Sequence, residues 1–155
     1  MRGRCGAIIP AMGERYLKSI RLLAECMQGF ERLSGQHVRE CGLTHAQFDI
    51  IATLGNTAGM SYKELGERTL ITKGTLTGVI ERLEEKGLVE RERCQVDKRS
   101  FFIRLTRQGE KLFSEVFPQV VSKGAELFAG MHAADFDALE LQLSRLKQVL
   151  AKAGA

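Results

Sequence analysis

The sequence contains no tryptophan, two prolines, two tyrosines, and no apolar run that approaches the roughly 18 residues of a membrane span. The stretch Ala-Ile-Ile-Pro at residues 7–10 is shorter than the apolar core of a secretory signal peptide. Four cysteines are scattered without the paired spacing of a disulfide framework: Cys5, Cys26, Cys41 and Cys94. These absences predict a soluble, cytoplasmic protein whose thiols stay reduced.

The chain also lacks the short motifs of common enzyme active sites. It has no Gly-rich phosphate loop, no H-E-x-x-H and no G-x-S-x-G, and its three histidines do not lie near a suitable nucleophile in sequence. We therefore expect no enzymatic activity and no cofactor. The 155 residues are 44% hydrophobic and 27% charged, which excludes disorder as the main state. A formal net charge of +4 permits an anionic partner without requiring one.

Helical periodicity dominates the first half. Apolar residues recur at helical spacing from Glu14 to about Arg39 and predict one long amphipathic helix. Thr44 and Gln47 fit a capping box that opens a second helix. Its predicted inner face consists of Phe48, Ile51 and Leu54. A second capping-box pattern, Ser61-x-x-Glu64, opens a short helix that ends near Thr69.

A third short helix follows at once and leads into a hairpin. Thr72 is the N-cap candidate, and Gly87 supplies a left-handed stop. The inward-facing residues of this helix are Leu76, Val79, Ile80 and Leu83. Residues 88–91 and 100–105 are strand-like, and residues 95–99 between them form the tip of a β-hairpin. Two short helices joined by a tight turn and followed by a hairpin describe a winged helix-turn-helix.

Charge supports this assignment. Residues 91–107 contain six basic side chains against two acids, a net charge of +4 over the predicted wing: Arg91, Arg93, Lys98, Arg99, Arg104 and Arg107 against Glu92 and Asp97. From Leu112 onward, four basic residues face five acidic ones. The positive charge is therefore concentrated at the wing, where a winged helix meets DNA.

Long helices flank this centre. Thr106 begins one that contains Pro118, which predicts a kink. The last helix carries an apolar stripe of Phe136, Leu139, Leu143, Leu146 and Leu150. The flanks are more apolar than a monomer of this size easily hides, so we expect a homodimer. The fold class is mainly α with a small β-hairpin wing. Met12 is an alternative start, so we expect residues 1–12 to be a flexible arm. We expect three further segments: a dimerisation helix at 13–42, the winged helix-turn-helix DNA-binding domain at 43–107, and the C-terminal dimerisation helices at 108–155.

The predicted recognition helix has an unusual outer face. Gly74, Thr77 and Gly78 lie opposite the inner leucines, with Lys73 and Thr75 at the sides. Each exposed helical glycine costs about 1 kcal/mol relative to alanine, and close approach to DNA would compensate. Threonines can donate hydrogen bonds to DNA or place a methyl against thymine, while Lys73 can meet a phosphate. The alternative is that Gly74-x-x-x-Gly78 is a helix-packing groove.

At the wing tip, Asp97 precedes Lys98, Arg99 and Ser100. An Asp in a turn accepts backbone N–H bonds and can orient Arg99 towards the narrow minor groove. Lys98 would add a phosphate contact. The alternative is an ordinary solvated turn with a weak surface ion pair.

These segments resemble the multiple antibiotic resistance regulator (MarR) family. The resemblance rests on residues 61–65, 71–83, 86–89, 97–100 and 105–109, and it covers roughly Leu43 to Leu112. It implies a homodimeric bacterial repressor or activator whose outer helices interlock and whose Arg99 enters the minor groove. It also implies that a small, often phenolic or anionic, molecule releases the DNA. A twofold dimer would bind a near-palindromic operator with half-sites about 10 bp apart.

The candidate DNA-contacting residues span the short helices and the wing. They are Ser61, Lys63, Thr72, Lys73, Gly74, Thr75, Thr77, Gly78, Arg82, Asp97, Lys98, Arg99 and Ser100. For the effector, we expect a pocket lined by the first, second and long kinked helices. Four side chains are available there to meet an anion: Arg15, Arg21, His37 and His45.

An alternative is a regulator of the same fold that responds to redox state or metal. Some relatives sense peroxide through a cysteine whose position falls near Ile20 here, and the supporting tyrosines are missing. Cys26 is expected to be a small core residue. Cys94 lies near arginines that could lower its pKa. His37, Cys41 and His45 are spaced by four, but Gly42 interrupts the helix that would align them for a metal.

Overall fold

The computed structural model describes residues 14–93 and 101–154. These residues form six helices and three short strands: α1 (Arg15–Glu40), α2 (His45–Leu54), β1 (Met60–Ser61), α3 (Tyr62–Thr69), α4 (Lys73–Glu85), β2 (Val89–Arg93), β3 (Phe101–Leu105), α5 (Arg107–Leu127) and α6 (Ala133–Ala153). The mainly α fold with a small antiparallel sheet confirms the fold class expected from the sequence. Within the described residues, none of the helices combines the length and the apolar character needed to span a bilayer.

The helix starts follow the capping chemistry only in part. Gln47 N donates to Thr44 Oγ1 at 3.2 Å and Thr44 N donates to Gln47 Oε1 at 3.1 Å, which confirms the first capping box. At α3, Glu64 N donates to Ser61 Oγ at 3.2 Å. The carboxylate of Glu64 instead accepts from Arg68 at 2.8 Å. The second capping box is therefore half formed.

Ile51 and Leu54 of α2 are buried as expected, but the burial expected of Phe48 and of Cys26 is wrong. In α2 the structure buries Gln47, Ile50, Ile51 and Leu54, whereas Phe48 is only half-buried. The buried positions 47, 50, 51 and 54 follow the 3.6-residue period of a helix. The predicted positions 48, 51 and 54 are spaced by three, so the first of them lies away from the buried face. In α1 burial is confined to Gly35 and Val38 near the C-terminal end, so Cys26 is exposed and is not a core residue of this chain.

The sheet has the order β1-β3-β2, with both pairs antiparallel. Val89 pairs with Leu105 and Arg93 pairs with Phe101, as expected for the two arms of a hairpin. The predicted tip, residues 95–99, lies outside the described residues. β1, which pairs Met60 with Ile103, was not predicted, because a strand of two residues is too short to show alternation.

The chain divides into two compact units, one ending at Val116 and the other beginning at Phe117. The first has a core from α2, α3, α4 and the sheet, in which Ile50, Leu65, Ile80, Leu83 and Ile103 are fully buried. α5 is a single helix through Pro118, and Thr106 Oγ1 accepts from Gly109 N at 3.1 Å at its start. In the second unit, α6 has no buried residue.

Candidate nucleic-acid interface

The orientation of α4 is set by its apolar face. Leu76, Val79, Ile80 and Leu83 are all buried, as the sequence predicted. Thr72 is the N-cap, but its hydroxyl makes no capping bond and donates instead to Thr75 Oγ1 at 3.2 Å. Because one face of α4 is fixed in the core, the opposite face has to point outwards.

This outer face is bare. Lys73, Gly74, Thr75 and Thr77 are exposed, and Gly78 is half-exposed. A Cβ atom added at Gly74 or Gly78 would meet no other atom within 4 Å. Within the described part of the chain, the two glycines therefore do not form a packing groove for another helix. The alternative explanation of this glycine pair receives no support from the structure.

The turn before α4 holds a strained residue. Leu70 adopts the left-handed conformation with φ of +57°, and its side chain is 87% exposed. A leucine in this region costs about 1–2 kcal/mol, because its Cβ approaches the following carbonyl oxygen. The turn thus combines backbone strain with an apolar side chain in solvent.

The base of the wing is tied to α4 by an ion pair. Arg91 on β2 contacts the Glu84 carboxylate at 2.6 Å, with the two side chains 29% and 30% exposed. The hydrogen bond that Arg91 donates to the Glu84 carboxylate raises the pKa of Arg91 above its usual value. The guanidinium groups of Arg91 and Arg93 lie 5.7 and 5.8 Å from the centre of the Phe101 ring. Both lie within cation–π distance of that ring.

A cleft of about 670 Å³ lies beside α4, lined among others by Tyr62, Lys63, Lys73, Thr77 and Arg91. Three of its lining side chains are cations. The Tyr62 hydroxyl is buried and has no hydrogen-bond partner of good geometry among the described residues. Burial raises the pKa of Tyr62, and the neighbouring Arg91 opposes this rise without cancelling it. Lys63 and Lys73 are therefore the lining cations that an anion in this cleft could meet, since Arg91 is paired with Glu84.

The structure brings several predicted DNA-contacting residues together. Lys63, Lys73 and Thr77 share the cleft, whereas Ser61 is half-buried as the N-cap of α3. Arg82 is exposed farther along α4. The wing-tip residues Asp97, Lys98, Arg99 and Ser100 lie outside the described residues. Sequence reasoning did not select Tyr62, because a lone tyrosine after an N-cap carries no signal of its own.

The four candidate effector residues are not brought together within one chain. Arg15 and His37 are 22 positions apart on α1, about 33 Å at 1.5 Å per residue. Arg21 pairs with Glu25 at 2.9 Å, and His45 is exposed. Of the four, His37 has a buried polar atom that is free to meet a ligand. Its Nε2 atom has no hydrogen-bond partner among the described residues, while its Nδ1 atom lies 3.3 Å from Glu40.

A metal cluster is not formed by the described residues, where no three His, Cys, Asp or Glu side chains converge. Gly42 has φ of +75° and separates α1 from α2. His37, Cys41 and His45 consequently do not share one continuous helix. Near His45, burial raises the pKa of the Asp49 carboxyl, and the histidine opposes this rise.

Comparison with known proteins agrees with this geometry. A model of the MarR family matches residues 42–100. The transcriptional regulator HosA of Escherichia coli is 34% identical over 103 residues, which span 66% of this chain and 76% of HosA. The chain belongs to the MarR family. Its relatives are transcription regulators, and the family assignment confirms the expectation from the sequence.

Two solved structures resemble this MarR-family chain closely. A mutant MarR from E. coli complexed with operator DNA has a TM-score of 0.76 and 26% identity, covering 88% of this chain and 98% of that one. BpsR of Bordetella bronchiseptica, described for the regulation of its DNA binding by 6-hydroxynicotinic acid, has a TM-score of 0.75 and 26% identity, covering 84% and 98%. One relative was thus solved on DNA, and the other is described as responding to a small molecule.

Proposed function

We propose that this MarR-family regulator is a homodimeric repressor that binds a near-palindromic operator and releases it when a small molecule binds. The observation that carries the proposal is the bare, exposed outer face of α4, with open space at Gly74 and Gly78. A helix that leaves its backbone accessible can approach the edges of bases in the major groove. A related MarR was solved in complex with operator DNA, which supports operator binding by this chain.

The proposed contacts divide into two groups. Thr72, Lys73, Gly74, Thr75, Thr77, Gly78 and Arg82 face the major groove or its phosphates, with Ser61 and Lys63 at the backbone nearby. The second group comes from the wing tip predicted from the sequence, where we propose that Arg99 enters the minor groove: Asp97, Lys98, Arg99 and Ser100. Lys63 and Lys73 line the cleft beside α4, which supports their assignment to phosphates. Phosphate contacts supply most of the sequence-independent affinity for DNA.

Dimerisation is proposed through α1 and the helices after residue 107. Leu17 and Leu33 of α1 are 54% and 56% exposed, and Leu139 and Val149 of α6 are 47% and 64% exposed. Exposed apolar side chains repeated along two helices support a protein interface. A symmetric dimer would place two copies of α4 about one turn of DNA apart, which explains the expected palindrome.

For the effector we propose a phenolic or anionic small molecule. The buried, unpartnered Nε2 of His37 supports a polar contact to such a ligand at the C-terminal end of α1. Arg15 and Arg21 can contribute only from a different place along the helix or from the second subunit. The small-molecule response of the related BpsR supports effector control of this kind.

The proposed DNA-binding mode is tested by Arg99→Ala. We expect operator binding to weaken by about 1–3 kcal/mol, or roughly 5- to 150-fold, with helix content unchanged. Arg32→Ala, which removes an equal charge from an exposed site on α1, is the control and should bind normally. Fluorescence anisotropy measures affinity. Wild-type affinity for Arg99→Ala would refute the wing contact, and a footprint over one half-site would refute the symmetric dimer.

A further inference from the structure

The first two turns of α4 offer a restricted set of chemical groups to DNA. Residues 72–78 contain three threonines, two glycines, one lysine and a buried leucine. They contain no arginine, asparagine or glutamine. Bidentate hydrogen bonding to guanine or adenine in the major groove depends mainly on those absent side chains and on lysine. Because the proposed function assigns Lys73 to a phosphate, the remaining means of base recognition in this stretch are single hydroxyl contacts and methyl contacts.

The hydroxyl of Thr77 points back towards the backbone of its own helix. Thr77 Oγ1 donates to the Lys73 carbonyl oxygen at 3.4 Å, a bond of the kind that threonine often makes to residue i−4. A hydroxyl has a single proton, so Thr77 is left with a methyl group and oxygen lone pairs to offer. The side chain is exposed.

The space beside Thr77 is open on the same face. Gly74 lies three residues before Thr77 and Gly78 directly follows it, and neither position has an atom within 4 Å of an added Cβ. Residues three and four apart are neighbours on a helix surface. No side chain at position 74 or 78 therefore obstructs a base edge that approaches the Thr77 methyl between Lys73 and Glu81.

We infer that Thr77 is a specificity-determining residue that contacts the C5-methyl of a thymine through its own methyl group and not through its hydroxyl. The inference rests on the proposed DNA-binding function and specifies what this position recognises. Operators should accordingly carry an A·T pair at the base that faces Thr77 in each half-site, with the thymine methyl in the major groove.

The test uses a duplex enriched by the wild-type protein from a random pool. Each thymine is replaced in turn by deoxyuridine, which lacks only the C5-methyl. For wild type we expect one position in each half-site at which the replacement weakens binding about fourfold, the value for one buried methyl-sized contact. Thr77→Val keeps a methyl and loses the hydroxyl, whereas Thr77→Ser keeps the hydroxyl and loses the methyl.

Thr77→Val should bind within about twofold of wild type and keep its sensitivity to uracil. Thr77→Ser should bind about fourfold more weakly and lose that sensitivity at the same position. Thermal unfolding of each variant checks that α4 is intact. The methyl contact is wrong, while DNA binding stands, if Thr77→Val is the weaker variant, if wild type is insensitive at every thymine, or if Thr77→Ser stays sensitive at the same thymine as wild type. If wild type enriches no duplex at low salt, the proposed function itself fails.

Discussion

Helices α4 and α6 use their apolar side chains in opposite ways. α4 has 13 residues and buries four apolar side chains inside its own chain, with Ile80 fully inaccessible. α6 has 21 residues and buries none, and Leu143 is 39% exposed. Both sequences show helical periodicity, so periodicity alone does not tell whether a stripe packs within the chain or against another molecule.

The two helices also differ in the helix propensity of their remaining residues. The outward face of α4 carries glycine and threonine, which are weak helix formers, where a solvated helix would tolerate alanine, lysine or glutamate. α6 is rich in leucine and alanine and has capping interactions at His132 and Asp135. α4 therefore relies on its buried face for stability and leaves its outer face open for the proposed DNA contact. α6 combines strong helix propensity with apolar side chains that stay exposed in this chain.

The largest expected effect separates these two kinds of stripe. Ile80→Ala should lower the free energy of unfolding by about 2–5 kcal/mol, because it opens a cavity in a closed core. That loss should be the same at all protein concentrations. Leu143→Ala should cost less at low concentration and more as concentration rises, since binding of a second subunit stabilises the folded state by mass action.

Urea unfolding at two protein concentrations a hundredfold apart measures both variants, with sedimentation velocity to follow the oligomeric state. A concentration-independent cost for Leu143→Ala would mean that α6 is not part of a subunit interface. The exposed leucines of α6 would then need a reason other than a second subunit.

The outer face of α4 provides the next test. Gly78→Ala, alone or with Gly74→Ala, should raise the free energy of unfolding by about 1 kcal/mol per glycine, because the added methyl meets no atom. The same methyl should obstruct DNA and weaken operator binding about tenfold, or 1.4 kcal/mol. Gly29→Ala in the middle of α1, where an added Cβ also meets nothing, is the matched control.

Gly29→Ala should gain stability without losing operator affinity. Chemical denaturation and anisotropy titration of the same preparations report the two quantities. If Gly78→Ala binds the operator as tightly as the parent, α4 does not approach DNA through its backbone, and its glycines need another reason.

Much of α4 and its surroundings was predictable from sequence. The inner stripe of four apolar residues, the Thr44 capping box and the hairpin arms depend on local patterns, and all are confirmed. Whether Gly74 and Gly78 are covered or open was not predictable, because a glycine pair has the same sequence in a packing groove and on an open surface. Only the positions of the neighbouring elements decide between the two.

The other differences have the same origin. Cys26 has apolar neighbours in sequence, but burial depends on what covers α1, and no local pattern reveals that. The Arg91–Glu84 pair and the approach of Arg91 to the buried Tyr62 hydroxyl bring together residues from separate elements, so they emerge only in the folded chain. Non-local geometry, not composition, set the limit on predicting the site.

The smallest expected effect is at Leu70, an exposed leucine outside α6. Like the leucines of α6 it is exposed, but it stands alone and in a left-handed conformation. Leu70→Gly should raise the free energy of unfolding by up to about 1 kcal/mol, because relief of 1–2 kcal/mol of strain exceeds the extra entropy of an unfolded glycine. Leu70→Ala keeps the Cβ and should gain nothing. Thermal and urea unfolding compare the three chains, and a loss of stability in Leu70→Gly would show that the side chain packs against a second subunit, as the α6 leucines are proposed to do.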